Sequence, residues 1–412
     1  MDIRSSVLAI LVAGSPAPGI NSVISAVTIE AINSGLDVIG IKWGFKRIRT
    51  GEAVDCVVPL TYPTVSSIHS QAGSILFTSK AQLTCNQEVD NVLRSLEHLR
   101  VRYLVTIGGV DTAHSAHLLS NAASTASFPL SIVHAPKTVY NDLPMPAECI
   151  TFGFTTARDY GVSLCQNYKV DAKTLGRWYI ISVIGQRAGH LAEGIGKGAA
   201  ATVILIPEEF TEGKCTFKSM LDILEASMIK RLATGRDYGV IILTEGIISK
   251  LPESEVESLF GSTTAGYGML AKTARDHIVD RLSRKGIDLT VCNSSIGSEI
   301  RSAPPNSADI NLARDLGYGA ARYLLSGGTG GMVSLRGSNI VTLDLEANKS
   351  GPMGEHPIRL VDMSSGSYEV AVKYQIRLKR SDLDNADLLK AMTNICHTDP
   401  ESFIREFEHI AC

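Results

Sequence analysis

The sequence predicts an α/β protein with two Rossmann-like, doubly wound parallel sheets. Apolar runs of strand length alternate with amphipathic runs of helix length along most of the 412 residues, as in parallel sheets covered on both faces. Several apolar runs end in glycine-rich or polar turns, where ligands bind in such folds. The chain is also longer than one ordinary core requires, which favours two domains.

The elements follow from these runs. The first predicted strand is Val7–Val12, followed by a helix from about Ile20 to Asn33 and a strand in DVIGIKW. Further apolar runs predict strands at Tyr103–Gly109, Pro129–Ala135, Trp178–Gly185, Ala201–Pro207 and Tyr238–Gly246. The stretches SDLDNADLLKAM and DPESFIREFEHI predict two short C-terminal helices. The N-terminal run VLAILVAG is too short for a membrane span and leads into a helix start, so we interpret it as a buried strand.

Prolines cluster between Pro136 and Pro146, and we place the domain boundary there. The prediction gives a first domain of residues 1–137, to which roughly 308–412 return, and a second domain of residues 138–307.

Charge and cysteine usage limit the kinds of binding partner and the cellular compartment that we expect. The net charge is −3, and neither a basic stripe nor an apolar span occurs, so we expect no nucleic-acid partner and no membrane partner. Eight cysteines are scattered without a Cys-x-x-Cys pair. This usage predicts free thiols in a reducing compartment, and therefore a cytoplasmic protein.

Two strand–turn–helix stretches suit anionic ligands. In VAGSPAPGINSVISA the turn at Gly14 leads into a helix whose first N–H groups suit a phosphate. It fits neither Gly-x-Gly-x-x-Gly nor the Walker pattern, and a tight structural turn is the alternative. In TIGGVDTAHSA, Gly108 and Gly109 let the backbone approach a ligand. Asp111 either holds a metal ion or caps the helix.

The stretch HAPKTVYNDLP looks like an active-site loop with one unexpected residue. Lys137 can neutralise a phosphate as a point charge. Asp142 can act as a base or fix a substrate hydroxyl. Tyr140 is the departure, because a phenol with a pKa of about 10 is a poor base at neutral pH.

Later stretches add further polar groups at strand ends. In IGQRAGHLAEGIGKGA, glycines surround Gln186, Arg187, His190 and Lys197, with close helix–sheet packing as the alternative explanation. Glu245 lies at a strand end within LTEG, and the stretch SSIGSEIRSAPP occurs further along the chain. Five such stretches in one chain predict a small phosphorylated ligand.

Taken in order, these stretches resemble the phosphofructokinase family from about residue 7 to residue 335, and the lysine of PKT is similar to the pyrophosphate-using and mixed-donor branch. The resemblance implies transfer of a phosphoryl group to the 1-hydroxyl of fructose 6-phosphate in glycolysis, with Mg²⁺. It implies a donor-binding first domain, a sugar-phosphate-binding second domain, and dimeric or tetrameric assembly.

The resemblance also implies roles for single residues. Phosphate-binding positions hold Gly14, Lys80, Gly108, Gly109 and Lys137. Sugar-phosphate positions hold Thr138, Arg177, Glu245, Ser298 and Arg301, and Arg177 is expected to reach the site of a neighbouring subunit.

Three departures from the family pattern replace residues that take part in the reaction. Tyr140 stands at the position of the aspartate base, whose loss typically costs about 10²–10⁴-fold in rate. Val110 replaces a metal-site aspartate and cannot ligate Mg²⁺. Gln186 replaces an arginine that stabilises the transferring group. Because these groups act in the transition state, we expect a catalytically impaired regulatory or structural subunit that partners an active phosphofructokinase-type chain.

Two alternatives remain. In the first, the protein is an active pyrophosphate- or ATP-dependent phosphotransferase in which Asp142 is the base, Arg187 supplies the lost charge and Asp111 carries the metal ion. In the second, it is a stand-alone sugar-phosphate-binding protein or a kinase for another substrate.

Overall fold

The computed structural model describes residues 6–52, 56–126, 128–211, 215–345 and 358–411. The chain divides into two compact units. The first unit comprises Met1–Ala157 and Ser298–Arg359, and the second comprises Arg158–Gly297 and Leu360–Cys412.

The strands of the described residues belong to two sheets. They are β1 Val7–Val12, β2 Asp37–Ile41, β3 Val57–Pro59, β4 Val101–Gly108, β5 Ser131–Pro136, β6 Arg177–Val183, β7 Val203–Leu205, β8 Gly239–Thr244, β9 Thr290–Ile296, β10 Gly331–Arg336 and β11 Asn339–Asp344.

The α-helices of the same residues surround these sheets. They are α1 Ile20–Asn33, α2 Phe45–Ile48, α3 Tyr62–Val65, α4 Asn86–His98, α5 Val110–Thr125, α6 Phe154–Leu175, α7 His190–Ala199, α8 Phe217–Ala233, α9 Glu253–Phe260, α10 Thr263–Arg284, α11 Ser298–Arg301, α12 Ser307–Leu325, α13 Gly366–Lys373, α14 Arg380–Leu383, α15 Ala386–Ile395 and α16 Pro400–Phe407.

The first unit is built on a sheet in the order β11-β10-β5-β4-β1-β2-β3. Its central strands are parallel, and β3 and β11 are antiparallel edges. Alternate residues of β1 face two different cores, because Leu8 and Ile10 pack in one cluster and Ala9 and Leu11 in the other. Both faces of this sheet are therefore covered, as the apolar run predicts.

The second unit contains a fully parallel sheet in the order β7-β8-β6-β9. Its core includes the fully buried Trp178 of β6 and, from α16, Phe403 and Phe407. At the outer strand β7, the N–H of Ile376 donates to the carbonyl of Thr202 at 2.9 Å. The C-terminal segment thus lies alongside the edge of this sheet.

The predicted fold class is confirmed, but the predicted domain limits differ from the observed division. The chain leaves the first unit after Ala157, not after residue 137. The returning segment stays with the first unit only to Arg359, so assigning all of 308–412 to the first domain is wrong. The physical reason is burial, because Phe403 and Phe407 complete the core of the second unit.

Local predictions hold best where the sequence is apolar. Val7–Val12 and the helix Ile20–Asn33 are observed as predicted. The strands β3, β9, β10 and β11 were not predicted, since they are short or carry polar residues. The stretch SDLDNADLLKAM forms two helices, α14 and α15, where one was expected.

Two further observations bear on composition. Within the described ranges, no helix is both long enough and apolar enough to cross a bilayer. No disulfide joins the seven cysteines that the structure describes, and Cys412 lies outside those residues.

Candidate active site

The first unit has a topological switch beside β1. The chain continues from β1 to β2 on one side, whereas β4 and β5 lie on the other. In such sheets the carboxyl ends of the strands open a crevice at this point. Backbone hydrogen bonds join these ends, from Ala13 N–H to Ile107 O at 2.9 Å and from Lys137 N–H to Gly108 O at 2.7 Å. Three predicted phosphate-binding stretches therefore meet here.

Glycine is required at two of these positions. Gly14 has φ +87°, and a Cβ there would lie 3.2 Å from the Lys137 Nζ. A Cβ on Gly108 would lie 2.1 Å from the Thr112 Oγ1. The chain is therefore held tightly at both strand ends, while Gly109 forms the N-cap of α5.

Lys137 is a buried cation where these strand ends meet. It is 3% exposed, and its Nζ donates to the carbonyl of Ser15. Burial, followed by the nearby charge of Arg301, lowers the pKa of Lys137 to about 7. It makes no ion pair with any described residue. An anion placed beside the amine would favour its charged form.

The loop of residues 138–151, here called the acid–base loop, is closed by its own hydrogen bonds. Thr138 Oγ1 donates to Asp142 Oδ1 at 2.9 Å and accepts from the Tyr140 N–H at 3.0 Å. Thr151 Oγ1 donates to the Thr138 carbonyl at 2.8 Å. Asn141 adopts a left-handed φ of 54°. The structure therefore brings Thr138 and Asp142 together, with a half-buried Tyr140 between them in sequence.

The predicted metal position lies at the start of α5. Val110 is half-buried against the apolar core, whereas Asp111 is exposed. The N-cap is Gly109 and no side chain caps the helix, so the capping role considered for Asp111 is not observed. Among the described residues, no three His, Cys, Asp or Glu side chains cluster as metal ligands. One exposed carboxylate still fits a Mg²⁺ that arrives with phosphate and water ligands.

An aromatic stack beside the first turn was missed by sequence reasoning. The rings of Trp43 and Phe77 lie parallel with centroids 5.2 Å apart, and the Arg47 guanidinium lies 4.4 Å from the Trp43 ring centroid. Thr78 links the stack to the turn, because its Oγ1 donates to the Gly14 carbonyl at 2.7 Å. The rings line a cavity of about 320 Å³. No local pattern marks it, because the two rings come from separate stretches of the chain. Lys80, predicted to bind phosphate, follows this stretch and is exposed.

The second unit gathers three predicted residues at the carboxyl ends of β6 and β8. Gln186 and Arg187 are exposed after β6, and Glu245 is half-buried after β8. The two strand ends touch, since the Gly246 N–H donates to the Gly185 carbonyl at 3.0 Å.

Tyr267 belongs to the same group, although no sequence pattern pointed to it. Burial raises the pKa of the Tyr267 phenol, the charge of Glu245 raises it further, and Arg187 lowers it.

The glycines of α7 serve packing, which was the alternative explanation. A Cβ on Gly196 would lie 2.5 Å from the Ile204 side chain, and one on Gly189 would lie 2.4 Å from Ile206. These contacts set how closely α7 approaches the end of β7. His190 begins this helix.

The carboxylates after β7 are also structural. Glu208 accepts hydrogen bonds from the N–H groups of Gly189 and Val361 at 2.9 and 3.0 Å. Glu209 pairs with the buried Arg377, with an Nη2–Oε1 distance of 3.0 Å.

The remaining predicted residues lie elsewhere. Arg177 is at the amino end of β6, opposite to Gln186, and its guanidinium lies 3.3 Å from Asp171. Ser298 and Arg301 form α11 in the first unit, where Arg301 Nη2 donates to Ser298 Oγ at 3.3 Å.

Comparison with known proteins agrees with this arrangement. Residues 7–324 match the family described as phosphofructokinase. The chain is 41% identical to the pyrophosphate–fructose 6-phosphate 1-phosphotransferase of Naegleria fowleri, covering 98% of this chain and 95% of that protein. It is equally identical to the enzyme of that name from Thermotoga maritima, covering 98% of both.

A solved structure supports the fold alone. The pyrophosphate-dependent phosphofructokinase from Nitrosospira multiformis superposes with a TM-score of 0.71 at 16% identity, covering 90% of this chain and 92% of that one. The match to the family along most of the chain and the two relatives of nearly full length agree with each other. The chain therefore belongs to the phosphofructokinase family, on the sequence branch of its pyrophosphate-dependent members.

Proposed function

We propose that this protein is a pyrophosphate-dependent fructose 6-phosphate 1-phosphotransferase. The observation that carries the proposal is the buried Lys137, which lies among three strand-end turns with a carbonyl and a second cation as its neighbours. The two relatives with this activity in their names match along nearly the whole chain. This assignment favours the active alternative over the impaired subunit that the departures suggested.

In the proposed site, Lys137 and the backbone at Gly14 and Gly108–Gly109 bind the donor phosphates. Asp111 is the carboxylate suited to hold a Mg²⁺ that enters with the donor, and such an ion would neutralise charge on the phosphates. Gln186 carries no formal charge to offset charge in the transition state, and the assignment of that role to the neighbouring Arg187 stays a prediction from the sequence.

Asp142 is the proposed base. The 1-hydroxyl oxygen of the sugar bonds to the phosphorus of one phosphoryl group of pyrophosphate. The bond between that phosphorus and the bridging oxygen breaks, orthophosphate leaves, and the hydroxyl proton passes to the Asp142 carboxylate. Thr138 holds this carboxylate through the 2.9 Å hydrogen bond. The Tyr140 phenol is too weak a base for this task.

The test is turnover by the purified chain with fructose 6-phosphate and either pyrophosphate or ATP. The variant Asp142→Asn should lower kcat by about 10²–10⁴-fold. Tyr140→Phe is the matched control and should leave kcat nearly unchanged. Full activity of Asp142→Asn would refute Asp142 as the base.

A silent subunit is the second candidate. It is favoured by a specific observation, since Tyr140, Val110 and Gln186 all replace groups that act in the transition state. This candidate expects no turnover by the chain alone, together with calorimetric binding of fructose 6-phosphate. It also expects co-purification with a chain that carries aspartate at the position of Tyr140. Ordinary turnover by the isolated chain would rule it out. Homo- or hetero-oligomeric assembly and a cytoplasmic location stay predictions in either case.

A further inference from the structure

The guanidinium of Arg359 directs its donors to one loop. Nε donates to the Asn141 carbonyl at 3.0 Å, and Nη2 donates to the same carbonyl at 2.9 Å and also to Asn141 Oδ1. Nη1 donates to the carbonyls of Pro146 and Cys149 at 3.1 and 2.6 Å. A guanidinium has five N–H donors, so the acid–base loop engages the complete set.

The backbone of Arg359 makes a further contact with the same loop. Its N–H donates to the Asp142 carbonyl at 2.9 Å. Asn141 and Asp142 are therefore both held by one residue that lies 218 positions beyond Asn141 in the chain.

The turn that Arg359 holds contains a residue with left-handed backbone, a conformation that Asn adopts more readily than most other side chains. Asn141 has φ 54°, in the left-handed region that side chains other than glycine rarely adopt. Its amide oxygen accepts from the Thr151 N–H at 3.2 Å and also from Arg359. Removal of Arg359 takes away three hydrogen bonds to Asn141 and leaves the one from Thr151, and Asp142 is the next residue.

The charge of Arg359 also acts on this loop. Burial lowers the pKa of Arg359, whereas Cys149 and the Asp142 carboxylate raise it. The same attraction favours the ionised form of Asp142. Arg359 thus affects both the position and the ionisation of the Asp142 carboxylate.

We propose that Arg359 is a positioning residue for phosphoryl transfer, which fixes Asn141–Asp142 so that the Asp142 carboxylate stays aimed by Thr138. This inference rests on the proposed function, in which Asp142 is the base. The donor site has other anchors, because Lys137 is held by Gly108 and Ser15. Loss of Arg359 should therefore affect kcat more than the KM for pyrophosphate.

The test compares Arg359→Met and Arg359→Lys with a matched control. Arg336→Met is that control, because Arg336 also reaches this loop, through a 2.9 Å ion pair with Glu148, but it is largely exposed. We expect Arg359→Met to lower kcat by about 10- to 100-fold, as small misplacements of catalytic groups do. The KM for pyrophosphate should stay within about twofold of the control.

The pH profile separates positioning from general stability. Arg359→Met should move the acidic limb of the kcat profile to higher pH, because loss of a nearby cation raises the pKa of a carboxylate. Arg359→Lys keeps the charge but not the planar fork, so its limb should stay in place while kcat still falls. Equal losses of kcat and of pyrophosphate binding, with an unmoved limb in Arg359→Met, would overturn the proposal.

Amide hydrogen exchange gives a readout that does not need turnover. Arg359→Met should speed exchange in residues 138–151 by at least about 10-fold relative to Arg336→Met, while residues 13–20 stay unchanged. Unchanged exchange in the loop overturns the proposal, whether or not the protein turns over. Faster exchange in a protein whose wild type shows no turnover would overturn the proposed function and leave Arg359 as the anchor of the loop.

Discussion

Each unit has a buried cation beside its sheet, Lys137 in the first and Arg377 in the second, and these two are stabilised differently. In the second unit, Arg377 is 7% exposed and bonds the Glu209 carboxylate and the Gln375 side chain. In the first unit, Lys137 is 3% exposed and donates to a carbonyl, and the charge of Arg301 helps to lower its pKa. A buried cation with a carboxylate partner is part of the framework. One that faces a second cation is suited to bind an anion.

The largest expected effect tests the framework cation. Arg377→Ala would leave Glu209 buried without its partner, which should lower the free energy of unfolding by about 3–5 kcal/mol. Arg380→Ala is the control, because its 3.6 Å ion pair with Glu408 is exposed, and it should cost less than about 1 kcal/mol. Chemical denaturation measures both. A stable Arg377→Ala protein that has lost pyrophosphate binding would reverse the assignment of the two cations.

The second effect tests the ligand cation. Lys137→Met removes the charge but keeps the buried volume, so the protein should stay folded while its affinity for pyrophosphate falls. A hydrogen bond to a charged group is worth about 1.5–3 kcal/mol, which corresponds to about 10- to 150-fold in Kd. Titration calorimetry with pyrophosphate measures the change, and the exposed Lys80→Met is the comparison. Unaltered affinity in Lys137→Met would remove Lys137 from the donor site.

The third effect is the uptake of a proton when pyrophosphate binds. The pKa of Lys137 is lowered to about 7, so the amine is mostly neutral at pH 8, and a bound anion should raise that pKa. Pyrophosphate binding should then take up close to one more proton at pH 8 in the wild type than in Lys137→Met. The difference should vanish near pH 5, where the amine is already charged. Calorimetry in buffers of different ionisation enthalpy measures it, and equal proton uptake by both proteins at pH 8 would contradict the assignment.

The smallest effect concerns an exposed cation. Arg187→Gln should change the free energy of unfolding by less than about 0.5 kcal/mol. It should also raise the pKa of the Tyr267 phenol, because Arg187 lowers that pKa in the wild type. Ultraviolet titration against Tyr267→Phe isolates this phenol. An unchanged pKa of Tyr267 would show that Arg187 does not act on the group formed by Tyr267 and Glu245.

The sequence predicted the features that local patterns carry. The apolar run before Gly14 and the lysine after β5 mark the strand ends that meet in the first unit, whereas the hydrogen bond between Thr138 and Asp142 was not predicted. Arg359 and Arg377 escaped prediction, because each bonds a loop more than a hundred residues away and no local pattern marks such a pairing. The stack of Trp43 on Phe77 was missed for the same reason, since it depends on two separate turns.

The C-terminal segment has a consequence for solubility. The outer strand β7 (Val203–Leu205) is wholly apolar, and an uncovered strand edge of this kind pairs readily with other chains. Here the Gln375 side chain accepts a hydrogen bond from the Ile204 N–H at 2.8 Å, and the Arg377 guanidinium donates to the Ile204 carbonyl. The Ile376 N–H donates to the Thr202 carbonyl. Three consecutive residues thus occupy hydrogen-bonding groups at the β7 edge and keep them from pairing with a strand of another chain. A chain cut before Gln375 would lose this cover and also the core residues Phe403 and Phe407, and we expect it to aggregate.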